Sequence, residues 1–201
     1  MALKQLHLRL RDRGRLLATR QAGRDVARAL QDHWQEPVVL HVNFADVEAI
    51  TPPFLDELFK ALYAELETHE GSLVLARGMN EDVFETTKMV LDRKNRSLAY
   101  CDEEDVDLLT EIPNLAETFA VAKALPNPFK AGDLAEALKI GISNTNQRLS
   151  ALSKVGAVSR ERDPEAERGL RYLYLVVGSE LPDKTAEPEA VPLPSPEALS
   201  L

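Results

Sequence analysis

Four polar side chains in the segment 143–158 have the chemistry needed to read the edges of DNA bases. They are Asn144, Asn146, Gln147 and Arg148. Asparagine and glutamine amides pair with adenine in the major groove, and an arginine guanidinium pairs with guanine. Ser143 and Thr145 are expected to cap a helix or to contact a phosphate. The spacing therefore predicts contact with double-stranded DNA.

The same segment is predicted to be a helix. Leu149, Leu152 and Val155 recur at helical spacing, which places the polar side chains on the opposite face. The preceding segment 130–138 carries a second apolar stripe, and Gly141-Ile142-Ser143 supplies a helix stop followed by a new N-cap. Two short helices joined by a tight turn form a helix-turn-helix. We expect residues 143–154, ending at Lys154, to enter the DNA groove.

Two strand-like segments, 157–162 and 170–177, follow the predicted helix and enclose a charged turn. The arginines of this hairpin are expected to contact the DNA backbone. They are Arg160, Arg162, Arg168 and Arg171. The run 129–177 resembles the winged helix-turn-helix of small bacterial repressors. This resemblance implies that helix 143–154 lies in the major groove while the hairpin grips the adjacent backbone.

The net charge of the 201-residue chain is −9, so the distribution of charge matters more than its sum. Residues 1–110 carry 14 basic against 20 acidic side chains, and residues 178–201 carry 1 against 5. Only residues 111–177 are not acidic, with 9 basic against 8 acidic side chains. We expect a locally positive face there, with a DNA affinity that is modest and strongly dependent on salt.

The first hundred residues alternate between strand and helix patterns. Residues 5–18 are predicted to form a hairpin that turns at Asp12-Arg13-Gly14. Segment 38–44 is almost continuously apolar, which is typical of a central strand. Thr19 and Thr51 are predicted N-caps. Further helices are predicted at 20–34, from 51 onward and at 81–91, and further strands at 72–76 and 97–100. This order predicts an α/β sandwich with a mixed sheet.

This part of the chain resembles the STAS-like family of bacterial domains, which is related in fold to anti-sigma-factor antagonists. The pattern is a strand ending in Thr19-Arg20, a strand ending at Asn43-Phe44, then Val47, Ile50, Thr51 and the helix start Pro53-Phe54-Leu55. Regulatory members often carry an aspartate where Asn43 stands and a phosphate-accepting serine where Pro53 stands. The resemblance therefore implies a domain that dimerises or binds protein rather than a phosphorylation switch at Pro53.

No catalytic or metal-binding pattern stands out in the sequence. His33 and His41 have no serine, cysteine or carboxylate partner at motif spacing, and Cys101 has no basic neighbour. Gly141 and Gly156 mark turns rather than a phosphate-binding loop. We therefore expect no enzyme activity, no cofactor and no metal. The lone cysteine, with no apolar run long enough to span a membrane and no signal peptide, predicts a cytoplasmic protein without membrane contact.

These observations predict four segments. They are a STAS-like α/β domain at 1–101, an acidic linker at 102–113, a small winged helix-turn-helix domain at 114–177 and a disordered, acidic, proline-rich tail at 178–201.

The predicted function is that of a bacterial DNA-binding transcriptional regulator whose STAS-like domain dimerises or binds a regulatory protein. A homodimer is expected because one winged helix reads only a half-site. One alternative stays open: an interaction protein, such as a sigma-factor or kinase-pathway antagonist, in which both domains bind protein and neither binds DNA.

Overall fold

A computed structural model of the protein describes residues 3–103, 105–164, 172–178 and 189–194. The described residues form a mixed α/β fold, which confirms the predicted class. The helices are α1 Arg20–His33, α2 Pro52–Thr68, α3 Glu81–Arg93, α4 Pro113–Ala124, α5 Ala131–Leu138 and α6 Ile142–Lys154. The strands are β1 Lys4–Arg9, β2 Leu16–Leu17, β3 Val38–Asn43, β4 Ala49–Ile50, β5 Leu73–Arg77, β6 Leu98–Asp102, β7 Asp105–Leu109, β8 Phe129–Lys130, β9 Val158–Arg162, β10 Tyr172–Val176 and β11 Glu189–Ala190.

The main sheet has the strand order β11-β1-β3-β5-β6-β7 and is mixed. All neighbouring strands are parallel except β6 and β7, which are antiparallel. Alternate residues of β1, Leu6 and Leu8, are fully buried, whereas β3 and β5 are buried at consecutive positions. These strands share one core with Leu30 of α1 and Phe54 of α2. Helix α1 begins as predicted, because the Thr19 hydroxyl accepts a hydrogen bond from the Ala22 N–H at 3.1 Å.

The predicted hairpin at 5–18 is wrong. Strand β1 lies between β3 and β11, while β2 pairs in parallel with β4. Residues Leu10–Arg13 between them form a 3₁₀ helix that buries Leu10 and Arg13. The Arg13 Nη2 atom lies 3.3 Å from Asp25 Oδ2 of α1. This buried ion pair and the buried Leu10 hold the chain in a path that keeps β1 and β2 apart.

Thr51 occupies the N-cap position of α2, but its side chain does not cap the helix. Its hydroxyl donates to the Ala18 carbonyl oxygen at 2.6 Å, so it joins β4 and α2 to the segment before α1. Because Pro52 and Pro53 have no N–H group, the first turn of α2 has fewer donors to satisfy. The predicted capping hydrogen bond is therefore wrong.

Two segments expected to lack structure contribute strands to the sheet. Within the predicted linker at 102–113, β7 pairs with β6 and buries Val106, Leu108 and Leu109 while leaving the intervening aspartates outside. Within the predicted disordered tail at 178–201, residues 189–190 form β11 beside β1, and Val191 is 1% exposed. In both segments the prediction followed the many charged residues and overlooked a few apolar side chains that complete the core.

The buried residues form one continuous cluster through both parts of the molecule, which we call the amino-terminal module (3–109) and the carboxy-terminal module (113–178). In the carboxy-terminal module the antiparallel sheet β8-β10-β9 packs with α4, α5 and α6. The modules meet closely at Gly156, whose carbonyl oxygen accepts a hydrogen bond from the Val74 N–H at 2.9 Å. A Cβ atom at Gly156 would lie 3.0 Å from Leu66 Cδ2.

Candidate functional site

Helices α5 and α6 are joined by a tight turn, but the turn differs in detail from the prediction. Lys139, rather than Gly141, takes the left-handed conformation, with φ 55°. The Ile140 N–H then donates to the Ala135 carbonyl oxygen at 3.1 Å, which closes α5. Helix α6 begins at Ile142 with Gly141 at its N-cap position, so Ser143 lies in the first turn and is not the predicted N-cap.

The inner face of α6 matches the apolar pattern of the sequence. Leu149 and Leu152 are fully buried, and Val155 is almost fully buried just after the helix. Thr145 is also fully buried, and its hydroxyl donates to the Gly141 carbonyl oxygen at 3.3 Å. The prediction that Thr145 caps the helix or contacts DNA is therefore wrong, because its side chain faces the core.

The outer face of α6 carries most of the predicted DNA-contacting side chains. The exposed residues of α6 among those predictions are Ser143, Asn144, Asn146, Gln147 and Lys154. Their exposure follows from the burial of Leu149 and Leu152 on the opposite side of the helix. The structure therefore brings together three amides, one hydroxyl and one ammonium group on a surface that a partner can reach.

Arg148 is turned away from that surface. Its side chain is 15% exposed, and its Nη1 atom lies 3.1 Å from Glu117 Oε2 and 3.2 Å from Thr118 Oγ1 of α4. Its Nε atom donates to Asn144 Oδ1 at 3.3 Å. The prediction that Arg148 reads a base is wrong in this arrangement, because its donors are used to fasten α6 to α4.

The predicted hairpin is present as the antiparallel pair β9 and β10, with β8 added to its free edge. Arg162 is exposed, as predicted. Arg160 is partly constrained, because its Nη2 atom lies 3.0 Å from Glu70 Oε2 in the turn after α2 and its guanidinium lies over the Tyr172 ring at 5.1 Å. The predicted contacts of Arg168 and Arg171 lie outside the described residues.

The tyrosines of β10 serve mainly in packing. The Tyr174 ring stacks on Phe129 of β8 with ring centroids 5.8 Å apart, and Tyr174 is 7% exposed. Burial raises the pKa of the Tyr174 hydroxyl, so this group is neutral at physiological pH. Tyr172 is partly exposed and supports the Arg160 side chain.

A cleft of about 780 Å³ separates the outer face of α6 from the amino-terminal module. Asn146, Ser150 and Lys154 of α6 form one wall, and Glu67 and Glu70 at the end of α2 form the opposite wall. Lys130, Arg160, Tyr172 and Tyr174 line its floor and sides. The cleft has the size of a small-molecule site.

Sequence reasoning missed the role of Glu67 and Glu70 at this site. Nothing in the local pattern of α2 distinguishes them from other exposed glutamates. They face α6 only because the Gly156 turn docks on Leu66 and Val74, which brings the end of α2 beside the hairpin. The site therefore contains carboxylates that a reading of residues 111–177 alone does not reveal.

Comparison with protein-family models, with curated proteins and with solved structures finds no match to this chain. Among the described residues, no helix combines the length and apolarity required to cross a bilayer. Within the same residues, no group of three or more histidine, cysteine, aspartate or glutamate side chains is placed to hold a metal ion.

Proposed function

We propose that this protein is a DNA-binding regulator that contacts the duplex with the first half of α6 and with the β9–β10 hairpin. The order α4, β8, α5, α6, β9, β10 supports this proposal, since it is the order of a winged helix-turn-helix. The observation that carries it is the exposed amide pair of Asn144 and Gln147 on a helix whose opposite face is buried.

The cleft divides the exposed side chains of α6 into two groups. Asn146, Ser150 and Lys154 face the end of α2, whereas Ser143, Asn144 and Gln147 are exposed without lining the cleft. In helix-turn-helix proteins the first residues of the recognition helix contact the base edges, which agrees with contact through the second group. Ser143 then contacts a phosphate, and Gln147 is the main base-reading side chain.

Backbone contacts come from the exposed cations near this surface. Arg162 is free of ion pairs in the described part of the chain and supplies one such contact. Arg148 has a different role, because it positions Asn144 and fastens α6 to α4. The amino-terminal module, with its STAS-like pattern, supplies the dimer contact or binds a regulatory protein. A sedimentation profile at monomer mass across micromolar concentrations would rule out the homodimer.

Fluorescence anisotropy with the full-length protein tests this proposal. The probes are a random duplex and the DNA upstream of the protein's own gene, at about 50 and about 200 mM salt. Gln147→Ala should reduce the preference for the upstream duplex. Arg162→Ala should weaken binding to both duplexes and reduce the salt slope by about 1. Arg28→Ala is the matched control, since Arg28 is also exposed but lies on α1.

A second candidate function, binding of protein alone, is favoured by one observation. Arg148 and Arg160 are each paired with a carboxylate, which reduces the positive charge available for phosphates. If neither duplex binds at about 50 mM salt, where non-specific affinity is strongest, the DNA proposal fails and the exposed face of α6 is a protein contact.

A further inference from the structure

A row of basic and polar side chains crosses the main sheet at the carboxyl ends of its parallel strands. The register aligns Arg9 of β1 with Asn43 of β3, and Asn43 with Arg77 of β5. Two residues earlier, on the same face, His7 of β1 aligns with His41 of β3. We call Arg9, Arg77, His7 and His41 the basic cluster. It lies far from α6 in the sequence and plays no part in the function proposed above.

The two histidines of this cluster are in contact; His41 is buried, His7 and Arg77 are partly buried, and Arg9 is exposed. The His7 and His41 ring centroids are 4.5 Å apart, and His41 Nε2 lies 2.8 Å from Gln5 Oε1. His7 Nε2 and Arg77 Nε are both shielded from solvent, yet neither has a hydrogen-bond partner among the described residues. Buried polar atoms in proteins are nearly always paired, so these two atoms point to a missing partner.

The charge of the cluster is also uncompensated. In the part of the chain that the structure describes, neither Arg9 nor Arg77 forms an ion pair, although the protein as a whole is acidic. Burial, the neighbouring His7 and the Arg77 guanidinium lower the pKa of His41 to about 4. Burial, Arg9 and Arg77 lower the pKa of His7. Among the described residues, no carboxylate offsets these effects on either histidine.

Glu189 lies on β11, the strand beside β1, but on the other face of the sheet. It aligns with Leu6 and pairs with Lys4 at 2.8 Å, and both of these residues alternate with Gln5 and His7. The Glu189 carboxylate therefore does not compete with an anion at the basic cluster.

We propose that the basic cluster binds an oxyanion, the phosphoryl or carboxylate group of a small molecule, between Arg9, Arg77 and His7. A guanidinium fork matches both kinds of oxyanion and forms charge-assisted hydrogen bonds with them. The His7 Nε2–H group supplies a further donor. In open α/β sheets, ligands bind at the carboxyl ends of the strands, which is where the row of Arg9, Asn43 and Arg77 lies. A metal cation is disfavoured at this place because the two guanidinium groups repel it.

Histidine NMR signals of the full-length protein provide the test. The chain has four histidines, and His33 and His69 are internal references because they lie at the ends of α1 and α2. Inorganic phosphate and acetate are titrated separately against sodium chloride of the same ionic strength. We expect phosphate, acetate or both to shift the His7 and His41 signals saturably, with the references unchanged. Saturation by phosphate alone identifies a phosphoryl group, and saturation by acetate alone identifies a carboxylate.

Arg77→Gln should weaken this binding about tenfold or more, because it removes charge-assisted hydrogen bonds. Arg93→Gln is the matched control, since Arg93 is an exposed arginine on α3. If Arg77→Gln does not fold, as judged by Trp34 fluorescence, Arg9→Gln replaces it, because Arg9 is exposed at the end of β1. The proposal is overturned if neither anion gives a saturable shift, if all four histidines respond alike, or if the folded variant binds as the wild type does.

Discussion

Replacing Gly156 by alanine should destabilise both modules together. Gly156 has φ 69°, which costs a residue with a side chain about 1–2 kcal/mol. The new methyl group would also lie 3.0 Å from Leu66 Cδ2 and 3.1 Å from the Val74 backbone nitrogen, and overpacking of this kind costs about 1–3 kcal/mol. We therefore expect the free energy of unfolding to fall by about 2–5 kcal/mol.

Two other glycines separate the backbone contribution from the packing contribution. Gly71 has φ 91° with nothing within 4 Å of a built Cβ, so Gly71→Ala measures the conformational cost alone. Gly132 in α5 has equally open surroundings without a positive φ, so Gly132→Ala should leave stability unchanged or raise it by up to about 1 kcal/mol. The excess loss in Gly156→Ala over Gly71→Ala is the contribution of docking between the modules.

Urea unfolding followed by Trp34 fluorescence and by far-UV circular dichroism provides the measurement. Trp34 is the single tryptophan and is buried in the amino-terminal module, where its Nε1–H donates to Ser72 Oγ at 3.3 Å. Both signals should shift to the same lower midpoint in Gly156→Ala. Equal stabilities of Gly156→Ala and Gly71→Ala, or a circular dichroism transition that moves while the Trp34 transition does not, would refute a shared core.

Three further changes test individual side chains. Arg148→Ala should lower the free energy of unfolding by about 1–3 kcal/mol, because it removes the donor that the buried Thr118 hydroxyl accepts from, and urea unfolding measures this loss. Glu70→Gln should alter stability by less than about 1 kcal/mol, since its ion pair with Arg160 is exposed, but should tighten DNA binding in the anisotropy assay by freeing a cation. The pKa of His41 is ordinarily 6.5 but is about 4 in the folded protein. Between these two pH values the unfolded chain binds more protons than the folded chain. The free energy of unfolding should therefore fall by up to about 3 kcal/mol as the pH decreases from 6.5 to 4. His41→Gln should flatten that dependence in unfolding experiments from pH 7 to pH 4.

Local residue spacing predicted those elements whose secondary structure and buried face depend on residues close together in the sequence. Thr19 caps α1 through its own side chain, and the apolar positions of α6 determine which side of that helix is buried. The near-continuous apolar run of β3 also indicated a central strand, and the structure confirms this with neighbours on both sides. These features depend on contacts within a few residues or on the amount of apolar surface.

The strand partners could not be predicted from local sequence, because strands that pair with each other lie far apart along the chain. The alternation in β1 fits a hairpin and a parallel central strand equally well. Only the partners β3 and β11 decide between the two arrangements. In β7 the aspartates that suggested a linker alternate with the buried Val106 and Leu108. The acidic composition of this segment predicted a linker, whereas its two-residue alternation of polar and apolar side chains is typical of a strand.

In the candidate site, too, contacts between residues distant in the sequence could not be predicted. The exposure of Asn144, Asn146 and Gln147 follows from the helical period, but the direction of Arg148 depends on Glu117 and Thr118 of another helix. Long flexible side chains with many donors follow their tertiary partners, which one segment of sequence does not contain. The basic cluster escaped notice for a related reason, since only the strand register places Arg9, Asn43 and Arg77 in one row across three strands.

The pairing of β11 with β1 affects the order in which the protein can be completed during synthesis. Strand β1 precedes every other described element, and β11 follows all of them. Until residues 189–190 have been translated, the outer edge of β1 presents unpaired N–H and C=O groups to other chains. A chain whose synthesis ends shortly before these residues therefore has most of its core but one unpaired strand edge. The last strand of this sheet thus protects the first strand from pairing with other chains.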